Sequence, residues 1–295
     1  NNKLTIHLLL KRGKSAPGVR ETKMKKFTKS VVSASVAAVM MGGATIAQAA
    51  DSVNVAFFLE WATPNQISKV EKAYDDAMGV KVNWTDFKTG TAMTEAMLAG
   101  DIDIAYSQGL SPFVTAIQQG HPLKMVGVAM EYPANNCYIK NGLGIDASNA
   151  SELEGKTVAV PLNTMADFAF RSYMKHFNVD VSTMNIVDQE PADGAKSLAD
   201  GNVDMACIFG GNSSKAAAEV GTAIMTDAQK VDAGIGSFDV VSVTEDFATK
   251  NPGLLRTFME VTAEANSAWT GDAAQLAIVA KDAGMSPADT KSQMD

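Results

Sequence analysis

The chain contains the stretch Leu98-Ala99-Gly100-Asp101-Ile102-Asp103-Ile104-Ala105, and a similar one, Leu198-Ala199-Asp200-Gly201-Asn202-Val203-Asp204-Met205-Ala206, follows it. Each stretch has the pattern of a helix end, a tight turn and a strand leading to glycine-containing loops. Strand and helix patterns alternate around both stretches, which is typical of an α/β fold. The repetition predicts two similar lobes. Because open α/β sheets bind ligands at the carboxyl ends of their strands, two facing lobes would form a cleft.

Hydrophobic periodicity predicts the elements on either side of these stretches. A mostly helical stretch at 246–268 is the last predicted element. Because no terminal element is obvious between it and Asp295, we expect a truncated chain. Strands are predicted at 53–58, 80–84, 102–106, 123–130, 157–160, 185–187, 203–209 and 237–243, and helices at 64–78, 91–98, 111–119, 165–177 and 192–199.

The chain is expected to cross between the lobes twice, at 132–136 and at 237–243. Residues 50–131 and 240–295 then form lobe 1. Residues 132–239 form lobe 2, with hinge strands at its ends.

Charge is unevenly distributed along the 295 residues, whose net charge is −8. Residues 1–50 hold nine of the 25 Lys and Arg but only one of the 33 acidic residues, which leaves 16 basic against 32 acidic residues afterwards. Phosphate contact needs clustered Lys and Arg, so this balance argues against a nucleic-acid partner.

The basic front segment has the order of a secretory signal peptide. Met24-Lys25-Lys26 begins it, an apolar run covers 31–46, and Ala47-Gln48-Ala49 has the form of a cleavage site. A membrane anchor is the alternative, although the run is short and rich in small residues. We therefore predict an upstream extension and signal peptide over 1–49, with Met24–Ala49 as the signal, and a protein exported to the periplasm of a Gram-negative bacterium.

Few residues are available for metal binding or catalysis. The three histidines are isolated, and Gly-x-Ser-x-Gly, phosphate-loop and His-Glu-x-x-His motifs are absent from the sequence. We therefore predict no metal, no cofactor and no enzymatic activity. In an exported protein, two cysteines favour one disulfide between Cys137 and Cys207, with separate buried thiols as the alternative.

Several motifs together resemble periplasmic substrate-binding proteins of ABC importers of the nitrate/sulfonate/taurine type, most of all the taurine-binding members. The resemblance implies a type II two-lobed fold, each lobe a mixed sheet flanked by helices, with two hinge crossings. It also implies a monomer that delivers solute to an inner-membrane ABC permease. The motifs are Val55-Ala56-Phe57-Phe58, Ala99-Gly100-Asp101-Ile102-Asp103-Ile104-Ala105, Leu153-Glu154-Gly155-Lys156-Thr157-Val158-Ala159-Val160-Pro161, Gly201-Asn202-Val203-Asp204-Met205-Ala206 and Asp246-Phe247-Ala248.

An oxyanion such as a sulfonate is well held at a helix N-terminus, where backbone N–H groups and the helix dipole converge. Thr89-Gly90-Thr91 and Asn163-Thr164 each precede or open a predicted helix, and Ser107-Gln108-Gly109 follows a strand. We predict that these residues bind the anion. Simple helix capping is the alternative for the threonines.

A ligand ammonium would need a carboxylate or several acceptors. Glu60, Glu190 and Asp239 follow strands or lie at a crossing, and each is a candidate, although solvent exposure is the ordinary state of an acid. Aromatic side chains near strand ends are candidates for the cleft walls, with core packing as the alternative: Phe58, Trp61, Tyr106 and Phe209.

The sequence therefore predicts a receptor for taurine or a related small sulfonate. Aromatic residues beside an acid would also suit a choline-like cation or a polyamine through cation–π contact. The same motifs are compatible with a thiamine-precursor-related enzyme on this fold, and with a sensor subunit that reports to a membrane kinase.

Overall fold

The computed structural model describes residues 50–294, in which strands and helices alternate along most of the chain. The predicted signal peptide lies outside these residues. The strands are β1 (Ser52–Phe58), β2 (Lys81–Phe87), β3 (Ile104–Gly109), β4 (Leu123–Pro133), β5 (Asn136–Lys140), β6 (Thr157–Val160), β7 (Asn185–Asp188), β8 (Met205–Ile208), β9 (Gly221–Ala223) and β10 (Gly236–Thr244). The helices are α1 (Gln66–Val70), α2 (Ala73–Met78), α3 (Gly90–Ala99), α4 (Leu110–Gln118), α5 (Met165–His176), α6 (Pro191–Asp200), α7 (Gly211–Val220), α8 (Asp227–Asp232), α9 (Glu245–Lys250), α10 (Pro252–Ala268), α11 (Ala273–Ala283) and α12 (Pro287–Met294).

The strands form two five-stranded mixed sheets, which confirms the predicted fold class. The first sheet has the order β2-β1-β3-β10-β4, and the second has the order β7-β6-β8-β5-β9. In both sheets the first three strands run parallel and the last two pair antiparallel to them or to each other. Buried apolar side chains lie in separate clusters within each lobe, so each lobe has its own core.

The repeated sequence stretch occupies the same place in each lobe. Gly100 and Gly201 take left-handed backbone conformations, with φ of 85° and 79°, which glycine adopts without steric cost. The aspartate that follows each turn ties its strand to the neighbouring parallel strand. Asp103 Oδ2 accepts a hydrogen bond from the backbone of Asn54 at 2.8 Å, and Asp204 Oδ2 accepts one from Thr157 at 2.9 Å. The repeat is therefore a structural device for joining parallel strands.

The two crossings lie at Ala134–Asn135 and between α8 and β10. Strands β4 and β10 remain paired, with two register shifts, as far as Pro133 and Gly236, and both belong to the first sheet throughout. The predicted lobe boundaries at 131/132 and 239/240 therefore fall inside these two strands. Asp239 lies in the first sheet.

Three predictions about elements were wrong. The helix expected at 64–78 is split into α1 and α2, because Lys72 has a left-handed φ of 61°. Strand β3 runs on to Gly109 and so includes Ser107 and Gln108, which were expected in a loop. The chain also continues as α11 and α12 after residue 268, where no terminal element was expected.

Cys137 and Cys207 form a disulfide in the second lobe. They lie opposite each other on the antiparallel strands β5 and β8, and both are buried in the core. No helix within residues 50–294 is long and apolar enough to cross a membrane.

Candidate ligand-binding cleft

A small cavity of about 30 Å³, called here the inner cavity, lies where strands of both sheets end. Phe58 ends β1 and Gly109 ends β3, whereas Phe209 follows β8 in the other lobe. The cavity therefore lies between the two lobes. Its lining consists of Phe58, Trp61, Gly90, Gly109, Pro112, Tyr132, Asn135, Thr164, Met165, Phe209 and Asp239.

Three helices begin at the wall of this inner cavity. Gly90 is the first residue of α3, Gly109 caps α4, and Thr164 caps α5 from the second lobe. The first N–H groups of a helix have no acceptor within it, and the helix dipole adds positive potential there. Three such ends at one cavity favour an anion.

The inner cavity also holds a buried carboxyl group, that of Asp239 at 3% exposure. Its Oδ1 accepts a hydrogen bond from the Tyr132 hydroxyl at 2.9 Å, and its Oδ2 accepts one from the Ser107 hydroxyl at 2.7 Å. Burial raises the pKa of Asp239 to about 7, although these two hydrogen bonds act in the opposite direction. A nearby cation would favour the ionised form.

Ser107 also connects this carboxyl group to the aromatic wall. The indole Nε1 of Trp61 donates a hydrogen bond to the Ser107 hydroxyl at 3.2 Å. The Trp61 ring packs edge-on against Tyr132 with a centroid distance of 5.0 Å. Trp61, Ser107, Tyr132 and Asp239 thus form one network that fixes the carboxyl group and one wall of the cavity.

Tyr132 and Asn135 line the inner cavity but were not predicted as site residues. The Oδ1 of Asn135 is buried and has no hydrogen-bond partner among residues 50–294. An unpartnered buried acceptor can accept a hydrogen bond from a ligand. Their position in the sequence could have indicated a role in the site. Both residues belong to the crossing predicted at 132–136, and this segment passes the base of the cleft.

A larger outer cavity of about 150 Å³ adjoins the inner one. The two cavities share the aromatic side chains of Phe58, Trp61 and Phe209. The rings of Phe58 and Phe209 approach each other from opposite lobes with a centroid distance of 6.3 Å. The charged residues of the outer cavity are Glu60, Lys88, Glu190 and Asp193.

Two of the three predicted ammonium partners therefore lie on the outer cavity. Glu60 Oε2 already accepts a hydrogen bond from the backbone N–H of Asn212 at 3.0 Å. Glu190 is exposed at the N-cap of α6, and its side chain makes no capping hydrogen bond there. Only Asp239 lies on the inner cavity.

Gln108 was predicted to bind the anion, but its side chain is fully buried within the first lobe. Its Nε2 donates hydrogen bonds to the backbone oxygen of Gly90 at 3.0 Å and to Thr94 Oγ1 at 2.6 Å. Its Oε1 accepts one from Ser242 at 2.5 Å. Because these partners occupy the amide, Gln108 joins α3 to the sheet and is not available to a ligand.

Two of the three threonines predicted to bind the anion, Thr89 and Thr164, act first as helix caps. Thr89 accepts from the backbone N–H of Ala92 at 3.1 Å, and Thr164 accepts from that of Ala166 at 3.2 Å. Thr164 still lines the inner cavity, whereas Thr89 lines neither cavity. Thr91 Oγ1 is buried without a hydrogen-bond partner in the described part of the chain, but Thr91 also lies outside both linings.

Asn163 also lies outside both cavity linings. It is exposed and has a left-handed φ of 60°. Its backbone N–H donates to Asp167 Oδ2 at 3.1 Å, so the residue forms the turn into α5. Tyr106, a predicted wall residue, is buried in the core of the first lobe and lines neither of these cavities. Within residues 50–294, no group of three or more His, Cys, Asp or Glu could hold a metal ion.

Replacement of Gly90 by alanine is expected to destabilise the first lobe. A Cβ atom there would lie 2.7 Å from Pro112 Cγ, and Pro112 also lines the inner cavity. Overpacking of this kind costs about 1–3 kcal/mol. Urea unfolding of Gly90→Ala should show the loss. Gly253→Ala is the matched control, because a Cβ at Gly253 meets no atom within 4 Å. Equal stability of both variants would contradict the expectation.

Two relatives with sequence similarity are named as binding proteins. The chain is 25% identical over 224 residues to the taurine-binding periplasmic protein of Escherichia coli (strain K12), with 75% of this chain and 68% of that protein covered. It is 24% identical over 204 residues to a putative aliphatic sulfonates-binding protein of Bacillus subtilis (strain 168), with coverages of 68% and 60%.

The chain also resembles a solved structure and matches a family model. The periplasmic aliphatic sulphonate binding protein SsuA from Escherichia coli has the same fold, with a TM-score of 0.66, 21% identity and 84% of each chain covered. Residues 67–276 match the model of the family described as NMT1/THI5 like. Since the match spans more than half of the sequence, the chain belongs to the NMT1/THI5-like family.

Proposed function

We propose that this protein is the periplasmic solute receptor of an ABC importer and that it binds a small amine-bearing sulfonate of the taurine class. One observation carries the proposal. The same inner cavity presents the N-termini of α3, α4 and α5 and the buried carboxyl group of Asp239. The first feature suits an anion and the second suits a cation, so the cavity suits a zwitterion.

The sulfonate is placed at the helix ends, where backbone N–H groups from both lobes can donate to its oxygens. The ammonium is placed at Asp239, whose carboxylate has lone pairs beyond those used by Tyr132 and Ser107. The unpartnered Asn135 Oδ1 supplies another acceptor. A ligand held in this way contacts both lobes, so its binding favours the closed cleft.

The names of the relatives support this assignment. The Escherichia coli relative is called taurine-binding and periplasmic, and the Bacillus subtilis relative is called aliphatic sulfonates-binding. We infer that this chain acts in the periplasm as a monomer and passes its ligand to an inner-membrane permease. Closure of the lobes about Ala134–Asn135 and the segment before β10 would present the permease with a changed surface.

Two rival functions are supported less well. A choline-like cation would use Asp239 and the aromatic walls, but it would leave three helix N-termini at the cavity without an anion. A thiamine-precursor-related enzyme would need a reactive histidine or cysteine in the cleft, and the described lining of the inner cavity includes neither.

Calorimetric titration of refolded, ligand-free protein tests the proposal with taurine, ethanesulfonate, choline and nitrate. We expect taurine to bind more tightly than ethanesulfonate, because only taurine supplies the ammonium. Binding of choline alone would refute the sulfonate assignment while leaving a receptor function in place.

The pH dependence of binding should differ in sign between two of these ligands. Asp239 is mainly protonated below its pKa of about 7 and ionised above it. Taurine affinity is therefore expected to rise by up to about tenfold per pH unit as the pH approaches 7 from below, and then to level off. Ethanesulfonate affinity should fall as the pH passes 7, because the ionised carboxylate repels the anion. Titrations between pH 5 and 8 measure both trends, and parallel curves would argue against an ammonium at Asp239.

A further inference from the structure

Glu60 reaches from the first lobe to the start of helix α7 in the second lobe. Its Oε2 lies 3.0 Å from the backbone nitrogen of Asn212 and 3.4 Å from that of Ser213, and both donate hydrogen bonds to it. Its backbone oxygen accepts a third from Gly211 at 3.2 Å. These are the first N–H groups of a ten-residue helix, which have no acceptor within it. A carboxylate there is also favoured by the helix dipole.

The residues around this contact leave space for the carboxylate. Glu60 has a left-handed φ of 57°, which is uncommon for a residue with a side chain. A Cβ atom at Gly210 would lie 3.0 Å from Glu60 Oε2, so glycine leaves the space that the carboxylate occupies. The unusual conformation of Glu60 and the absence of a side chain at Gly210 serve the same contact.

The C-terminal helices hold the Glu60 backbone in place. The backbone N–H of Glu60 donates to the oxygen of Ala283 at the end of α11, at 2.7 Å. Gln293 on α12 donates to the Glu60 oxygen at 3.2 Å, and it accepts from the backbone N–H of Ala62 at 2.5 Å. Glu60 is thus a positioned group, fixed on one lobe and bonded to the other.

We propose that Glu60 is a latch that stabilises the closed lobes and slows solute release without touching the solute. Its bonds join the loop after β1 of the first sheet to helix α7, which follows β8 of the second sheet, so opening of the cleft must break them. The latch also occupies the N-terminus of α7, which leaves the ligand anion to the ends of α3, α4 and α5. The latch rests on the proposed function only for the identity of the solute, since closure of the lobes can be measured without ligand.

The test compares Glu60→Ala and Glu60→Gln with the native residue. One spin label is attached to a cysteine at Glu95→Cys in the first lobe and another at Lys175→Cys in the second, both at exposed positions. Electron–electron double resonance then measures the interlobe distance in ligand-free protein, and stopped-flow measures taurine dissociation. Asp193→Asn is the matched control, because it removes a charge from the same outer cavity but leaves the Glu60 bonds intact.

We expect Glu60→Ala to enlarge the open population of the ligand-free protein and to speed taurine dissociation by about tenfold, the effect of losing a good helix cap. Glu60→Gln should have a smaller effect, since its amide oxygen still accepts but carries no charge. Asp193→Asn should match the native protein.

Two results would overturn the latch. One is an unchanged interlobe distance and an unchanged dissociation rate in Glu60→Ala. The other is loss of taurine binding in Glu60→Ala with unchanged interlobe distances, which would make Glu60 a direct ligand contact. Failure of the native protein to bind taurine would refute the proposed function, while the ligand-free distances would still decide whether the latch exists.

Discussion

Asp239→Asn is expected to weaken taurine binding by about 100-fold and to leave ethanesulfonate binding unchanged or stronger. Loss of one partner from a buried charge pair costs about 2–5 kcal/mol, and a loss of affinity of about 100-fold lies within this interval. The carboxyl group is 3% exposed, so solvent would screen the pair little. Ethanesulfonate lacks the ammonium and would no longer meet a negative charge. Calorimetric titration at pH 8, where the native Asp239 is mainly ionised, measures both affinities.

The shape of the site should survive this substitution. Asparagine has nearly the same size, and the Tyr132 and Ser107 hydroxyls that donate to Asp239 can rotate to accept from the new amide. Thermal unfolding checks that the variant is folded. Asp193→Asn, on the outer cavity, controls for loss of one negative charge. An equal loss of affinity for taurine and ethanesulfonate would indicate a structural effect and contradict the role of Asp239 as the ammonium partner.

Removal of the disulfide is expected to cause the largest loss of stability. Cys137 and Cys207 are separated by 70 residues, and the chain-entropy estimate for such a loop is about 4 kcal/mol. The double variant Cys137→Ala, Cys207→Ala should show this difference in the free energy of unfolding by urea. Both cysteines lie outside the linings of the inner and outer cavities. Taurine affinity should therefore be retained at temperatures where the variant is folded.

A reduction experiment controls for the loss of side-chain volume in the double variant. Native protein unfolded with a thiol reductant present should lose stability by a comparable amount, because the cross-link is then absent from the unfolded chain. The double variant should not respond to the reductant. Equal stability of the native and variant proteins under oxidising conditions would contradict a stabilising disulfide.

The fold was more predictable than the site because its signals are local. Hydrophobic alternation and the glycine turns at Gly100 and Gly201 predicted β3 and β8, and the structure confirms both strands. The break at Lys72 was missed because a left-handed lysine leaves no signal in the sequence pattern. Helices α11 and α12 were missed as well. These C-terminal helices hold the Glu60 backbone, on which the proposed latch depends.

The residues of the candidate site depend on contacts between segments that are distant in the sequence. Trp61 and Phe209, selected because they follow predicted strands, and Asp239, selected at a predicted crossing, line the inner cavity. The same reasoning selected Gln108, whose hydrogen-bond partners come from α3 and β10. It also did not select Tyr132 and Asn135, which both belong to the crossing predicted at 132–136. A side chain's neighbours across a sheet or cleft are distant in sequence, so the pattern of one segment does not reveal them.

The sequence by itself determined two α/β lobes and the strand ends between which a cleft forms, because periodicity and turn chemistry act over a few residues. Only the tertiary structure decided which polar groups remain available to a ligand. Glu60 is engaged by the backbone of α7, whereas Asn135 Oδ1 keeps a free acceptor position and the buried Asp239 can accept further hydrogen bonds at the inner cavity. The physical reason is that each acceptor's remaining capacity depends on donors that folding brings from other parts of the chain.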